Sequence, residues 1–325
     1  MRIDVHTHAW SSDYLDRIDL YMPREPAPRF GTAMCRGLGA GLDDDDLHAR
    51  FVGTDAAGVD LEVLSVGPVT AHFSDRSQSV SAARHANDDY AAAVETWPDR
   101  FRFFASLPLP HMDAAMRELE RALALPGALG VMLPTSILGR SPADRAFDPI
   151  YAELDRRRSV LFIHPEGAAA HSPLVRDSGI TWMVGAPFED TVAALQLITQ
   201  GVPVRYPGMK VVLSHVGGAL PLLARRLDDH VTFEAPDIEE LPSLMAKRMW
   251  YDTVTHNHPP ALRCAVETLG ADRLLLGTDF PYQHGDGYRH AVSHLRTSGL
   301  SGEDTTAILD HNAGELFGLS QRNPG

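Results

Sequence analysis

Eight short apolar segments recur along the chain, each followed by a helix or by a loop and a helix, and they predict an α/β fold of the closed (β/α)8 (TIM) barrel type. Three observations carry that reading. The segments are apolar throughout, as parallel strands buried on both faces must be. All eight units fit within about 280 residues, close to the ~250 that such a barrel needs. No Gly-x-Gly-x-x-Gly follows the first segment, which lowers the case for an open dinucleotide-binding sheet. Neither a linker nor a low-complexity stretch divides the chain, so a single domain over residues 1–325 is expected.

The opening strand runs from Arg2 to His6, where Ile3 and Val5 alternate with polar neighbours. It leads into His6-Thr7-His8. Side chains two apart in an extended chain point to the same side. Two imidazoles there can take adjacent positions on one metal ion. A bare His-x-His reads equally well as a polar strand terminus, so the rest of the chain has to supply further ligands. Residues 9–50 are expected to form a cap or loop insertion over the mouth of the site, with 11–50 irregular. Pro23, Pro26 and Pro28 cluster within it, and Gly37, Gly39 and Gly41 interrupt its second half. The acidic run Asp43 to Asp46 precedes residues 47–52, where acids would complement a helix dipole; capping is preferred to metal binding.

From there strands at 62–66, 101–107, 130–133, 160–164, 210–215, 249–252 and 274–279 alternate with helices at 80–97, 112–125, 148–158, 188–199, 219–229 and 260–269. Further helices reach Leu319. The 80–97 helix is alanine-rich and is ended by Pro98.

Composition narrows the function classes. A net charge of −14 argues against nucleic acid or an anionic membrane as the main partner. No apolar run approaches the ~20 residues of a membrane span, and the N-terminus lacks a signal-peptide pattern. Cys35 and Cys264 are too few for a disulfide scaffold, and free thiols in a reducing cytoplasm are expected. Sixteen histidines hint at metal or acid–base chemistry.

Barrel active sites lie at the C-terminal ends of the strands. His6 and His8 close the first strand, His164 the fifth, His215 the sixth and Asp279 the eighth, each after an apolar run. Burying such groups costs free energy unless they are paired or ligated. Three imidazoles and one carboxylate suit Zn2+ or a similar divalent ion, with a position left open for water or substrate. The remaining histidine can serve as acid or base. Neither cysteine stands at a strand end, which argues against a thiolate ligand.

The stretches Ile3-Asp-Val-His-Thr-His8, Phe162-Ile-His-Pro165, Phe188-Glu-Asp-Thr191, Leu213-Ser-His-Val-Gly-Gly218, Leu276-Gly-Thr-Asp-Phe-Pro281 and the tail 308–317 occur in an order that resembles the amidohydrolase superfamily. Within it they resemble the aminocarboxymuconate-semialdehyde decarboxylase branch (amidohydrolase 2). The resemblance implies that His6, His8, His164 and Asp279 ligate one divalent metal, Zn2+ first and Mn2+ as the alternative. It implies that His215, with Asp279, does the acid–base work. The fourth strand ends without the lysine that binuclear relatives carry, which implies a mononuclear site. Arg226 matches an arginine that binds a substrate carboxylate in a neighbouring subunit, with Arg225 the alternative if the register slips; a homodimer or higher homo-oligomer follows. A second such arginine has no match, since Glu234 falls near its place, so the substrate is not expected to be the muconate semialdehyde.

The expected reaction is non-oxidative decarboxylation of a small aromatic or unsaturated carboxylic acid. The rival reading is hydrolysis of an amide, lactone or ester by metal-bound hydroxide. Trp182 and Phe280 are read as apolar walls for a flat substrate or, equally, as core packing. His256, beside His258 in a proline-bounded loop, and His284 are expected near the pocket. His290 and His294 are expected on a solvated outer helix. His48, His72, His85, His111, His171, His230 and His311 read as surface or loop residues.

Overall fold

A computed structural model describes residues 1–22 and 32–319. The apolar segments become β1 (Ile3–His8), β2 (Leu61–Ser65), β3 (Phe101–Ala105), β4 (Ala128–Pro134), β5 (Val160–His164), β6 (Lys210–Leu213), β7 (Trp250–Asp252) and β8 (Leu274–Leu275). They pair in parallel in sequence order. The sheet closes between its ends: Val5 N donates to Leu276 O at 2.9 Å, Asp279 N to His6 O at 2.9 Å and His8 N to Phe280 O at 2.8 Å. The result is a (β/α)8 TIM barrel. Its closing seam carries His6, His8 and Asp279 together.

β5 matches its expected limits to the residue, and every residue in it is buried. β6 and β8 are shorter than the sequence suggests, and the backbone beyond each turns left-handed where the polar residue stands. His215, Val216 and Asp279 have φ of 49°, 53° and 65°. That left-handed region is incompatible with a strand and costs of order 1–3 kcal/mol per non-glycine residue. The strain sits where the polar side chains are presented.

The expected irregularity over 11–50 is corrected at its two ends, while 35–43 between them is turns and bends. Ser12–Tyr21 is a helix, capped by Ser11 Oγ, which accepts from Tyr14 N at 3.0 Å. Tyr14, Leu15 and Ile18 form its buried face. A second helix, Asp44–Ala57, begins at Asp43, whose carboxylate accepts from Asp46 N at 3.1 Å; the acidic run caps this helix and fills its first turn. The Pro23, Pro26 and Pro28 cluster lies outside the described residues.

Inside the barrel, Phe104 of β3 and Phe162 of β5 stack with centroids 5.1 Å apart. These strands are not neighbours, so the rings meet across the interior. Phe162 is 5.3 Å from the His6 ring above it, and Phe104 is 6.2 Å from Phe317 of the closing helix Asn312–Phe317. An aromatic column thus fills the barrel beneath the polar rim.

Candidate metal centre

His6, His8, His164 and Asp279 bring one ligand atom each to within 4.8 Å of one another, and all four residues are buried. The partners of each imidazole fix which nitrogen is free. Asp252 can only accept, so His6 Nδ1 donates to it at 2.6 Å. His164 Nδ1 donates to the carbonyl of Pro165 at 2.7 Å. Ser65 Oγ donates to Thr7 O and accepts from His8 Nδ1 at 3.0 Å. Each histidine therefore turns Nε2 inward, with its outer nitrogen anchored as metal-ligating imidazoles require.

A divalent ion fits these residues on two counts. His6 Nε2 lies 3.2 Å from both His8 Nε2 and Asp279 Oδ1, and His8 Nε2 lies 3.3 Å from that oxygen. A tetrahedron of ligands about 2.0 Å from a zinc-like ion has edges of about 3.3 Å. Moreover, His164 Nε2 is buried with no hydrogen-bond partner among the described residues, a cost that ligation would remove. Gly67 permits the arrangement, because a Cβ there would lie 2.7 Å from His164 Nδ1.

The carboxylates around the cluster favour positive charge there, which a divalent cation would supply in place of a proton. Burial opposes a charge on His6, but Asp252 and Asp279 outweigh it and raise the group to about 9. Burial lowers His8 to about 4 and holds His164 well below the usual range, helped by the neighbouring imidazoles. Burial would raise the Asp279 carboxyl, yet His6 and the other histidines hold it well below its ordinary value.

His215 stands beside this group. Its Nδ1 donates to Asp190 Oδ2 at 2.9 Å, and its Nε2 faces Asp279 Oδ2 at 3.6 Å. Asp190 is fully buried and also accepts from Ser214 Oγ at 2.9 Å. The structure thus gathers all five strand-end residues on one rim.

The other candidates stand apart. Arg226 is exposed on the helix Leu220–Glu234. Trp182 is half-buried on the turn Thr181–Gly185. His256 is exposed beyond β7, its Nδ1 3.0 Å from Gln283 Nε2, and His284 is exposed, donating to Pro281 O at 3.2 Å. Phe280 lays its ring against the Arg50 guanidinium and Tyr288, which is the packing alternative. One expectation of exposure, that for His294, is corrected, and His72 lies in a loop as expected but is covered. His294 is buried at 2% exposure, held by the Ala291 carbonyl at 2.9 Å, and His72 is buried at 8%. Helix and loop spacing carried no sign of the cover that tertiary packing gives them.

Sequence reasoning missed Asp252, Ser65 and the role of Asp190. Asp252 had a signal, since it too is an acid ending an apolar strand. Trp10 and Tyr282 were also missed: Trp10 stacks on His8 at 5.7 Å, and Tyr282 meets the His8 ring at 5.9 Å.

A parallel barrel that presents three inward imidazole nitrogens and a carboxylate on its C-terminal rim is the scaffold of a metal-binding enzyme. The chain belongs to the amidohydrolase family, whose profile matches residues 3–319. It is 26% identical to 2-amino-3-carboxymuconate-6-semialdehyde decarboxylase of Dictyostelium discoideum, over 98% of this chain and 92% of that one. It is 33% identical to 6-methylsalicylic acid decarboxylase of Penicillium expansum, over 75% and 76% of the two chains. The crystal structure of a dihydroxybenzoic acid decarboxylase from Polaromonas, with bound manganese and 2-nitroresorcinol, superposes with a TM-score of 0.81 at 25% identity, over 98% and 97% of the two chains.

Proposed function

We propose that this chain is a metal-dependent, non-oxidative decarboxylase, a carbon–carbon lyase, acting on a small aromatic or unsaturated carboxylic acid. The observation that carries the reading is the joint presence of the four-ligand cluster and the His215–Asp190 pair on one rim, in a chain whose three relatives named here are all decarboxylases. His6, His8, His164 and Asp279 would hold the ion. A divalent ion there supplies Lewis acidity that holds the substrate carboxylate or an adjacent hydroxyl and stabilises developing charge. Asp190 keeps His215 Nδ1 engaged, so Nε2 is the atom that faces the substrate. A proton passes from that nitrogen, with Asp279 Oδ2 beside it, to the carbon bearing the carboxylate. The bond to the carboxylate then breaks, its electron pair stays with the ring or double bond, and carbon dioxide leaves.

The donor set of three imidazoles and one carboxylate suits Zn2+, and the manganese in the Polaromonas enzyme makes Mn2+ its competitor. His256 follows β7, His284 follows β8 and Trp182 stands on the turn Thr181–Gly185 after β5, and these three would contact the substrate. The segment 9–50 would act as a cover: Trp10 and Tyr282 flank His8, and Cys35 Sγ lies 3.9 Å from the Tyr282 hydroxyl. A homodimer is supported by the exposed Leu222, Phe188, Val192 and Met183 on neighbouring elements. Arg226 is exposed on the same helix as Leu222 and would reach a partner's site. Two free cysteines agree with a cytoplasmic location, and no helix among the described residues is long and apolar enough to cross a membrane.

The test is to supply metal-loaded protein with a panel of hydroxybenzoates and a panel of lactones, following carbon dioxide release and acid production. Carbon dioxide from a hydroxybenzoate is the expected result. Acid from a lactone, with no carbon dioxide from any aromatic acid, would transfer the assignment to hydrolysis. Size-exclusion chromatography with light scattering checks the dimer; a strict monomer removes Arg226 from the site.

A further inference from the structure

Arg50 belongs to the helix Asp44–Ala57, outside the barrel, yet its side chain is fully buried against the seam where the barrel closes. Nε pairs with Glu62 of β2 at 2.9 Å, and the Glu62 side chain is only 3% exposed. Nη1 donates to the backbone carbonyl of His8 at 3.0 Å. The guanidinium carbon lies 4.6 Å from the centre of the Phe280 ring, a cation–π contact in which the ring face replaces a further acceptor. His8 and Phe280 are themselves joined, His8 N donating to Phe280 O at 2.8 Å. One cation therefore grips a metal-ligand residue and the residue after another ligand, at the point where β1 meets the end of β8. A charge on a helix face would ordinarily stay in water; this one is buried and donates to the His8 carbonyl.

We propose that Arg50, held in place by Glu62, is a positioning residue for the metal centre. It fixes the crossing of His8 and Phe280, so that His8 Nε2 and the Asp279 carboxylate stay at ligating distance, and through them it sets the affinity for the divalent ion. The proposal rests on the ligand assignment made under Proposed function. It is independent of whether the enzyme decarboxylates or hydrolyses.

The test separates positioning from stability. Full-length protein is stripped of metal and titrated with Zn2+ and with Mn2+ against a chromophoric chelator, and the melting temperature of the stripped protein is recorded. The variants are Arg50→Lys, Arg50→Met and the double variant Arg50→Met/Glu62→Met. Removing one member leaves a buried charge unpaired, whereas two apolar side chains in place of the pair restore packing. The double variant is expected to melt near the wild type but to bind either ion about 10–100-fold more weakly, as loss of an outer support does at metal sites. Arg50→Lys, which keeps a donor within reach of the His8 carbonyl, should fall between the two. Wild-type affinity in a double variant of wild-type stability would overturn the proposal. If the double variant does not fold, Arg50→Lys decides: weaker binding at an unchanged melting temperature supports the role, and unchanged binding overturns it. A wild type that binds neither ion would overturn the ligand assignment itself, and this role with it.

Discussion

Replacing Asp252 with asparagine removes one charge from the metal centre without removing a ligand. In the native chain Asp252 Oδ2 accepts from His6 Nδ1 at 2.6 Å while Oδ1 accepts from the Val254 amide at 2.9 Å. Both side chains of the first pair are fully buried. A carboxylate satisfies two donors; an amide offers one oxygen and one NH2 group, so either His6 or Val254 then faces a donor. A buried donor left unpaired costs about 1–3 kcal/mol. The surviving bond would also lose the charge assistance that roughly doubles its strength. If this loss falls on His6, its Nε2 is both less basic and less firmly aimed, and the affinity for metal drops by about 10–100-fold. That corresponds to about 1.4–2.8 kcal/mol. Chelator competition at a fixed pH measures the affinity directly, and circular dichroism checks that the fold survives. Unchanged affinity in a folded variant would refute the reasoning, because it would mean that the 2.6 Å contact does nothing for the ligand.

The same geometry sets three further outcomes. His164→Ala should lower metal content and activity together, whereas His294→Ala should lower the melting temperature, since the side chain is buried, yet keep its metal; metal loss from the latter would displace the ligand assignment. Asp190→Asn should lower kcat by about 100-fold with KM and metal content little changed, the scale of a mispositioned acid–base group; parallel loss of metal would show a structural role instead. Burial lowers His72 to about 4, below its unfolded value near 6.5, so the unfolded chain takes up a proton first as the solution is acidified. Its contribution to stability is present above pH 6.5 and is lost as pH falls towards 4, amounting to about 2 kcal/mol by pH 5. Denaturant melts of wild type and His72→Gln should therefore converge between pH 7 and 5, and parallel curves would contradict it.

The barrel was legible because a parallel strand buried on both faces has few disguises. Val160–His164 is four apolar residues and one histidine, and nothing but a strand reaching a functional rim explains that sequence economically. The site was legible wherever a polar residue interrupted such a run. It was illegible where a residue's role lies in a contact. Arg50 reads as part of a charged helix face until tertiary structure places it under His8. His294 sits at a spacing typical of solvated helices, and that spacing gives no sign that the side chain is buried. The helix Ser12–Tyr21 was hidden by the prolines and glycines that follow it, Pro23, Pro26, Pro28, Gly37, Gly39 and Gly41, which suggest irregular chain until Ser11 is seen capping and Tyr14, Leu15 and Ile18 are seen buried on one side.

The column of Phe162, Phe104 and Phe317 beneath His6 has a bearing on traffic. A barrel stoppered from below has one door. Whatever binds above the rings arrives through the mouth and departs through it. Under the proposed reaction the gas and the decarboxylated product share that exit, and a gas molecule trapped beneath a ring can recombine with it. The rate at which the rim lets the first product past the second would then influence how far the reaction runs forward, so the loops over the mouth bear on direction as well as on choice of substrate.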